Sequence, residues 1–206
     1  MEYISVSGRL ILASQSPRRI ELLRSMGLLF DIMPSDVDET FRKGEDPRDH
    51  VLRLSAEKAK RASDLHSDAW VMGADTIVVI NGEVLGKPRM SVDAKAMLGK
   101  LSGQTHTVFT GFSVMKKSEG ISVHEAVASS VRFRNIPNDE MMWYIHTEEP
   151  YDKAGGYAVQ GMGAFFIQEI HGSYTNVMGL PLCEVVDTLK RIGALTFPGG
   201  DREIDH

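Results

Sequence analysis

The chain has 206 residues, 42% hydrophobic and 25% charged, with a formal net charge of −5. That length fits one domain, or two lobes sharing a core, and the composition is that of a globular protein rather than a disordered one. The acidic balance argues against sequence-independent grip on nucleic acid, but leaves room for a small anionic ligand in a local basic pocket.

Leu10-Ile11-Leu12 reads as a strand that runs into a tight turn, Ala13-Ser14-Gln15-Ser16-Pro17-Arg18-Arg19. Ser16 is placed to cap a helix with Pro17 in its first position, Ile20, Leu23 and Met26 at helical spacing, and Gly27 as the stop. Leu28 to Ile32 is predicted as a short strand, followed by the acidic loop Asp36-Val37-Asp38-Glu39-Thr40. Asp46 and Pro47 open a second helix, with Val51, Leu54, Lys58 and Ala62 on one face. Trp70 to Ile80 is a β-branched run, and Asn81-Gly82 turns it into Glu83-Val84-Leu85.

Ser91 is predicted to cap a third helix whose apolar stripe is Ala94, Met97, Leu98 and Leu101, ending at Gly103. Thr105 to Met115 and Ile121 to Arg134 form a long hairpin through Gly120. Pro137 to Thr147 is a short helix, Ala164 to Ile170 a strand, and Pro181 starts a last helix. From Thr196 the tail, residues 196–206, is polar and Gly-rich. The alternation reads as α/β, a mixed sheet with helices on its faces. Cys183 is the only cysteine, which excludes a disulfide within the chain. With no long apolar leader and no membrane-length run, the reading is a cytoplasmic protein.

Several positions carry chemistry. The turn at Ser14 to Arg19 offers helix-start N–H groups and two guanidinium forks, which suit phosphate oxygens; the bland alternative is a solvated cap with two surface arginines. Asp75, in Gly73-Ala74-Asp75-Thr76, interrupts an apolar strand, where a carboxylate is costly unless paired or functional. It is a candidate general base or metal ligand, with small neighbours that would admit a ligand. Lys58 on its own reads as a solvated helix residue. Lys87, in Gly86-Lys87-Pro88, is directed by the proline after it and is a candidate phosphate contact. Asp36, Asp38 and Glu39 are either a solvated loop or oxygen donors to Mg²⁺. In Asp152 to Gly161, glycines permit unusual backbone, and Gln160 carries the donor and acceptor that reading a base edge requires. None of the seven histidines pairs at metal spacing.

Together these residues resemble the Maf family of nucleoside triphosphate pyrophosphatases. The matching stretches are Leu12 to Arg19, Glu57-Lys58-Ala59, Gly73 to Val78, Gly86-Lys87-Pro88, Leu101 to His106 and Gly179 to Leu182, in order between Leu10 and Leu195. The Asp152 to Gly161 segment is similar to the subgroup acting on dTTP and UTP, departing at Gly156 (often Ala there) and Ala158 (often Gly). The resemblance implies one Maf-like domain over residues 1–195 with an elongated mixed β-sheet flanked by helices. It also implies two lobes around a central cleft, as in inosine triphosphate pyrophosphatases, and often a homodimer.

The implied reaction is hydrolysis of dTTP, UTP or modified pyrimidine nucleotides to the monophosphate and pyrophosphate, with Mg²⁺ or Mn²⁺. The resemblance makes Asp75 the catalytic acceptor, which would orient or deprotonate the water or hold the metal; with Glu39 of the acidic loop it is the candidate metal pair. It places Arg18, Thr76 and Gln160 at base-preference positions, and Ser14, Arg19, Glu39, Lys58 and Lys87 along the cleft. Rival readings are the same chemistry on another base, such as 7-methyl-GTP or inosine triphosphate, and a non-enzymatic regulator of cell division.

Overall fold

The computed structural model describes residues 4–197. Its first half runs β1 (Ser5–Val6), β2 (Leu10–Leu12), α1 (Pro17–Ser25), β3 (Asp31–Ile32), α2 (Pro47–Leu65), β4 (Trp70–Ile80) and β5 (Glu83–Leu85). The second half runs α3 (Ser91–Leu101), β6 (Thr105–Lys116), β7 (Ile121–Phe133), α4 (Asn138–Ile145), β8 (Ile167–His171), α5 (Tyr174–Met178), α6 (Leu182–Arg191) and β9 (Leu195–Thr196). Seven strands form one mixed sheet in the order β3-β2-β4-β6-β7-β8, with β5 also on β4. β2 runs parallel to β3 and β4, and the other pairs are antiparallel.

β4 is buried on both faces, which explains its unbroken apolar sequence. Trp70, Met72 and Ala74 pack with α1 and α6 residues such as Leu23, Val185 and Leu189. Further along β4, Val78 and Ile80 pack with Leu98, Leu101, Tyr144 and Phe166. These two cores are separate. Between them β4 carries Thr76, whose hydroxyl lies 2.9 Å from that of Thr110 on β6. Two hydroxyls where the strand alternation would otherwise place apolar side chains thus divide the two cores. Val71 and Ile77 point to the opposite side and belong to separate clusters that include α2 residues.

α2 lies unusually close to the sheet. A Cβ at Gly73 would sit 2.3 Å from Ser55 O and 2.6 Å from Ala59 N, and one at Gly111 would sit 2.3 Å from Val51 O. Any side chain at either position would force the helix away. This approach, one turn before Lys58, brings Lys58 down to β4.

Several sequence expectations shift at their edges. Only Asp31 and Ile32 of the expected strand at Leu28 find partners, because β2 offers a three-residue edge. Ser91 is the first residue of α3 rather than its cap: Met90 holds the cap position, and Asp93 accepts from Arg89 N. The expected strand from Ala164 begins only at Ile167, because Glu149 accepts from Met162 N and Gly163 N and the chain winds into a 3₁₀ turn over Met162–Phe166. Thr196, the first residue of the expected tail, joins Leu195 in a two-residue strand that pairs with Ser5–Val6. The remainder of the expected tail, residues 198–206, lies outside the described residues. α5 has no forecast in the sequence.

Candidate active site

β2 ends at Leu12, opposite Met72, and β5 ends at Leu85, opposite Val78. Residues 73–77 of β4 therefore have no strand on that edge. At this gap, at the carboxyl end of β2, lies a cleft of about 620 Å³. Ligands commonly bind outside the carboxyl ends of parallel strands where the connections diverge. The walls come from the β2–α1 turn, the acidic loop, α2, β4, Lys87, the 152–159 segment and the α5 terminus.

Arg19 is buried at the centre. Its Nε donates to Gly179 O at 2.8 Å, Nη1 to Ala74 O at 2.9 Å and Ser14 Oγ at 3.3 Å, and Nη2 to Thr76 Oγ1 at 2.9 Å. Four of its five N–H groups are thus committed to protein oxygens, one of them the carbonyl on the open β4 edge. Burial lowers its pKa, and the charge of Asp75 works against that. Ser14 Oγ also accepts from Ser16 N at 3.2 Å. Ser16 holds the cap position of α1 as expected, but its side chain makes no capping bond.

Asp75 is buried and accepts at Oδ1 from Lys58 Nζ at 2.8 Å. The same ammonium lies 2.6 Å from Glu39 Oε1. Partial burial works against ionisation of Glu39, but the Lys58 hydrogen bond and the charges of Lys58, Lys87 and Arg19 hold its carboxyl below the usual range. Lys58 is therefore no solvated helix residue: it is buried between two carboxylates.

The loop that carries Glu39 has no helix or strand, and side chains of α2 pin it. Glu45 accepts from Arg53 Nε at 2.6 Å and Nη2 at 2.9 Å, pairs with His50 Nδ1 at 2.9 Å, and accepts from Arg42 N at 3.1 Å. The Phe41 ring stacks on His50 at 4.0 Å. Asp36 and Glu39 reach the cleft, whereas Asp38 turns back to accept from Thr40 N.

Arg18, Arg19, Lys58 and Lys87 all line this cleft together with Asp75, Thr76, Ser14 and Glu39. Arg18 is partly exposed, with Asp152 Oδ2 at 3.5 Å. Lys87 is exposed. Gln160 is the exception. The chain turns at Val159 and Gln160, so that Ala158 and Val159 line the cleft while Gln160 is exposed outside it.

Sequence reading missed the apolar wall of Val78, Val108, Tyr157 and Val177. The Tyr157 hydroxyl lies 2.7 Å from His106 Nε2; burial pushes the His106 imidazole down to about 4 and raises the Tyr157 phenol. Asn176, wholly buried, ties α5 to the sheet by donating to Val108 O and Ser129 Oγ. Strand alternation marks Val78 and Val108 as inward-facing, but nothing local places them beside Tyr157 and Val177, far along the chain.

The family model for Maf-like proteins matches residues 9–192. The chain belongs to the Maf family. Among its Maf relatives, a dTTP/UTP pyrophosphatase of Syntrophus aciditrophicus is 58% identical over 95% of each chain. One of Geotalea uraniireducens is 49% identical over 93% of this chain and 99% of its own. A solved structure of the Staphylococcus aureus Ham1 protein aligns with a TM-score of 0.48 at 15% identity, covering 78% of this chain and 80% of that one. The cleft belongs to this Maf domain, since its lining residues, Ala13 to Gly179, fall within the matched span. Among the described residues no helix is long and apolar enough to cross a membrane.

Proposed function

We propose that this chain hydrolyses dTTP and UTP to the nucleoside monophosphate and pyrophosphate. The observation that carries the reading is the gathering of Arg18, Arg19, Lys58 and Lys87, from three separate segments, around Asp75 in one cleft. Cleavage within a triphosphate tail calls for fixed positive charge where negative charge accumulates, and one acceptor for the proton of the attacking water. That relatives 58% and 49% identical over nearly the whole chain are dTTP/UTP pyrophosphatases supports this reaction and these substrates.

In this reading Asp75 holds the attacking water and takes its proton. In the nucleotide-free protein its Oδ1 is engaged by Lys58, and Oδ2 is the atom that faces the water. The water oxygen bonds to the α-phosphorus, the bond to the bridging oxygen breaks, and pyrophosphate leaves with its electron pair. Lys87, exposed on the cleft wall, binds the departing phosphates. Arg19 contributes its charge and its one uncommitted N–H.

A divalent cation, Mg²⁺ or Mn²⁺, fits the donor set. Asp75 and Glu39 already converge on one cation, the Lys58 ammonium, at 2.8 and 2.6 Å. Among the described residues no three His, Cys, Asp or Glu gather to hold a metal. Mg²⁺ is commonly bound by one or two carboxylates together with substrate phosphate oxygens and water. Bound there, the ion would supply charge neutralisation on the phosphate oxygens.

The apolar wall of Val78, Val108, Tyr157 and Val177 gives the nucleoside a surface to bury against. With Gln160 outside the cleft, base reading falls to Arg18, Thr76 and the 154–159 wall. We place the protein in the cytoplasm as a homodimer acting on free nucleotides rather than nucleic acid; its net charge of −5 favours the last point. With purified protein and Mg²⁺, kcat/KM for UTP and dTTP is expected to exceed that for CTP by roughly 10²-fold, because a site matched to one pattern of donors and acceptors leaves groups unpaired with the reversed one. Equal values for CTP and UTP would remove the pyrimidine preference, and release of orthophosphate instead of pyrophosphate would remove the reaction.

A further inference from the structure

The ammonium of Lys58 occupies the place between two carboxylates that suits a cation. It lies 2.6 Å from Glu39 Oε1 and 2.8 Å from Asp75 Oδ1, and the lysine is 7% exposed. Buried carboxylates normally need such a partner. Two cations cannot share a space this small, because their repulsion rises steeply at short range. The local charges also balance: Lys58 and Arg19 stand against Asp75 and Glu39. A free divalent ion approaching this cluster therefore meets no net negative charge, and it must displace an ammonium already in hydrogen-bond contact with both carboxylates.

The two carboxylates are not equally held. Asp75 sits on the rigid central strand, whereas the Glu39 side chain is 58% exposed on a loop. Lysine also differs from arginine here. A compact ammonium on a flexible stem can swing between acceptors, and only two of its three donors are used. A nucleotide brings phosphate oxygens that can take this ammonium over, leaving both carboxylates free.

We propose that Lys58 is an internal stand-in for the divalent cation: in the nucleotide-free protein it neutralises Asp75 and Glu39 and excludes free metal, so that metal enters only together with the nucleotide. Lys58 then turns from the carboxylates to a phosphate oxygen as the metal–nucleotide complex binds. This rests on the metal-dependent reading above, and it adds an order of binding and a second role for Lys58 beyond its charge in the cleft.

The test follows Mn²⁺ binding by the loss of the free-ion electron paramagnetic resonance signal, without turnover. The free wild-type protein is expected to bind Mn²⁺ at least about 10-fold more weakly than Lys58→Met, which removes the ammonium but keeps the bulk of the side chain. The gain should vanish when Asp75→Asn and Glu39→Gln are added to Lys58→Met. Wild-type protein with a non-hydrolysable UTP analogue should bind one Mn²⁺ more tightly than the analogue alone does. This last measurement needs no variant, so it stands even if Lys58→Met does not fold.

Equal Mn²⁺ affinity in free wild type and Lys58→Met would overturn the stand-in role while leaving the metal reading intact. So would equal affinity in wild type with and without the analogue. Absence of any Mn²⁺ uptake by the protein–analogue mixture beyond the analogue itself would overturn both. A gain in Lys58→Met that survives loss of both carboxylates would place the metal elsewhere and overturn the stand-in role as well.

Discussion

Asp75→Asn is expected to lower kcat for UTP by at least about 10²–10³-fold while the protein stays folded. The substitution keeps the shape and the acceptor oxygen that meets Lys58 at 2.8 Å, but an amide has no basicity with which to take a proton from water. Some stability should also go, because a buried ammonium loses one of its two counter-charges. The cost should be about 1–2 kcal/mol, less than for breaking an isolated buried pair, since Glu39 remains at 2.6 Å. The measurement is steady-state pyrophosphate release beside a urea denaturation curve. A well-folded Asp75→Asn protein with wild-type kcat would show that Asp75 is not the acceptor.

Arg19→Met should act on stability first and on turnover second. The guanidinium brackets three segments: Ser14 before α1, Ala74 and Thr76 on β4, and Gly179 after α5. Methionine removes four hydrogen bonds in a largely buried place and takes from the Ala74 carbonyl the guanidinium that meets it on the open β4 edge. The expected loss is about 3 kcal/mol, which for a chain of this size is a drop of roughly 6–12 °C in Tm. Arg19→Lys should recover only part of it, because an ammonium cannot span acceptors set out for a planar fork. KM for UTP should also rise in both variants, since the cleft loses either a charge or its arrangement. Unchanged Tm and KM in Arg19→Met would mean that the bracket holds nothing.

The two arginines illustrate what the sequence carries and what it does not. Arg18-Arg19 after a strand and a capping serine reads directly as an anion-seeking turn. Adjacent helix residues project about 100° apart, however, so only one of the pair could turn inward. That Arg19 turns in and Arg18 stays partly exposed depends on the carbonyls of Ala74 and Gly179, which lie 55 and 160 residues further along the chain. Lys58 is a similar case. Helical spacing puts it on the face shared by Val51, Leu54 and Ala62, yet a lysine there reads as solvated until Gly73 and Gly111 bring α2 onto the sheet.

The long hairpin and β4 were legible almost to the residue because period-2 patterning and Asn81-Gly82 act locally. Asn81 and Gly82 both adopt positive φ, as such a turn requires. The β1–β9 pair was not legible, because two-residue strands carry no periodicity and their pairing joins positions 191 residues apart. Gln160 is a related case. A side chain suited to reading a base was identified by type, but a turn at Val159–Gln160 carries it outside the cleft.

The central claim is that cations gathered around Asp75 direct water to the α-phosphorus of a nucleoside triphosphate. Hydrolysis of UTP in ¹⁸O-enriched water, followed by ³¹P NMR, tests it most directly. The isotope shift is expected on the phosphorus of UMP, with unlabelled pyrophosphate as the other product. Label in pyrophosphate, or UDP and orthophosphate as the products, would contradict it.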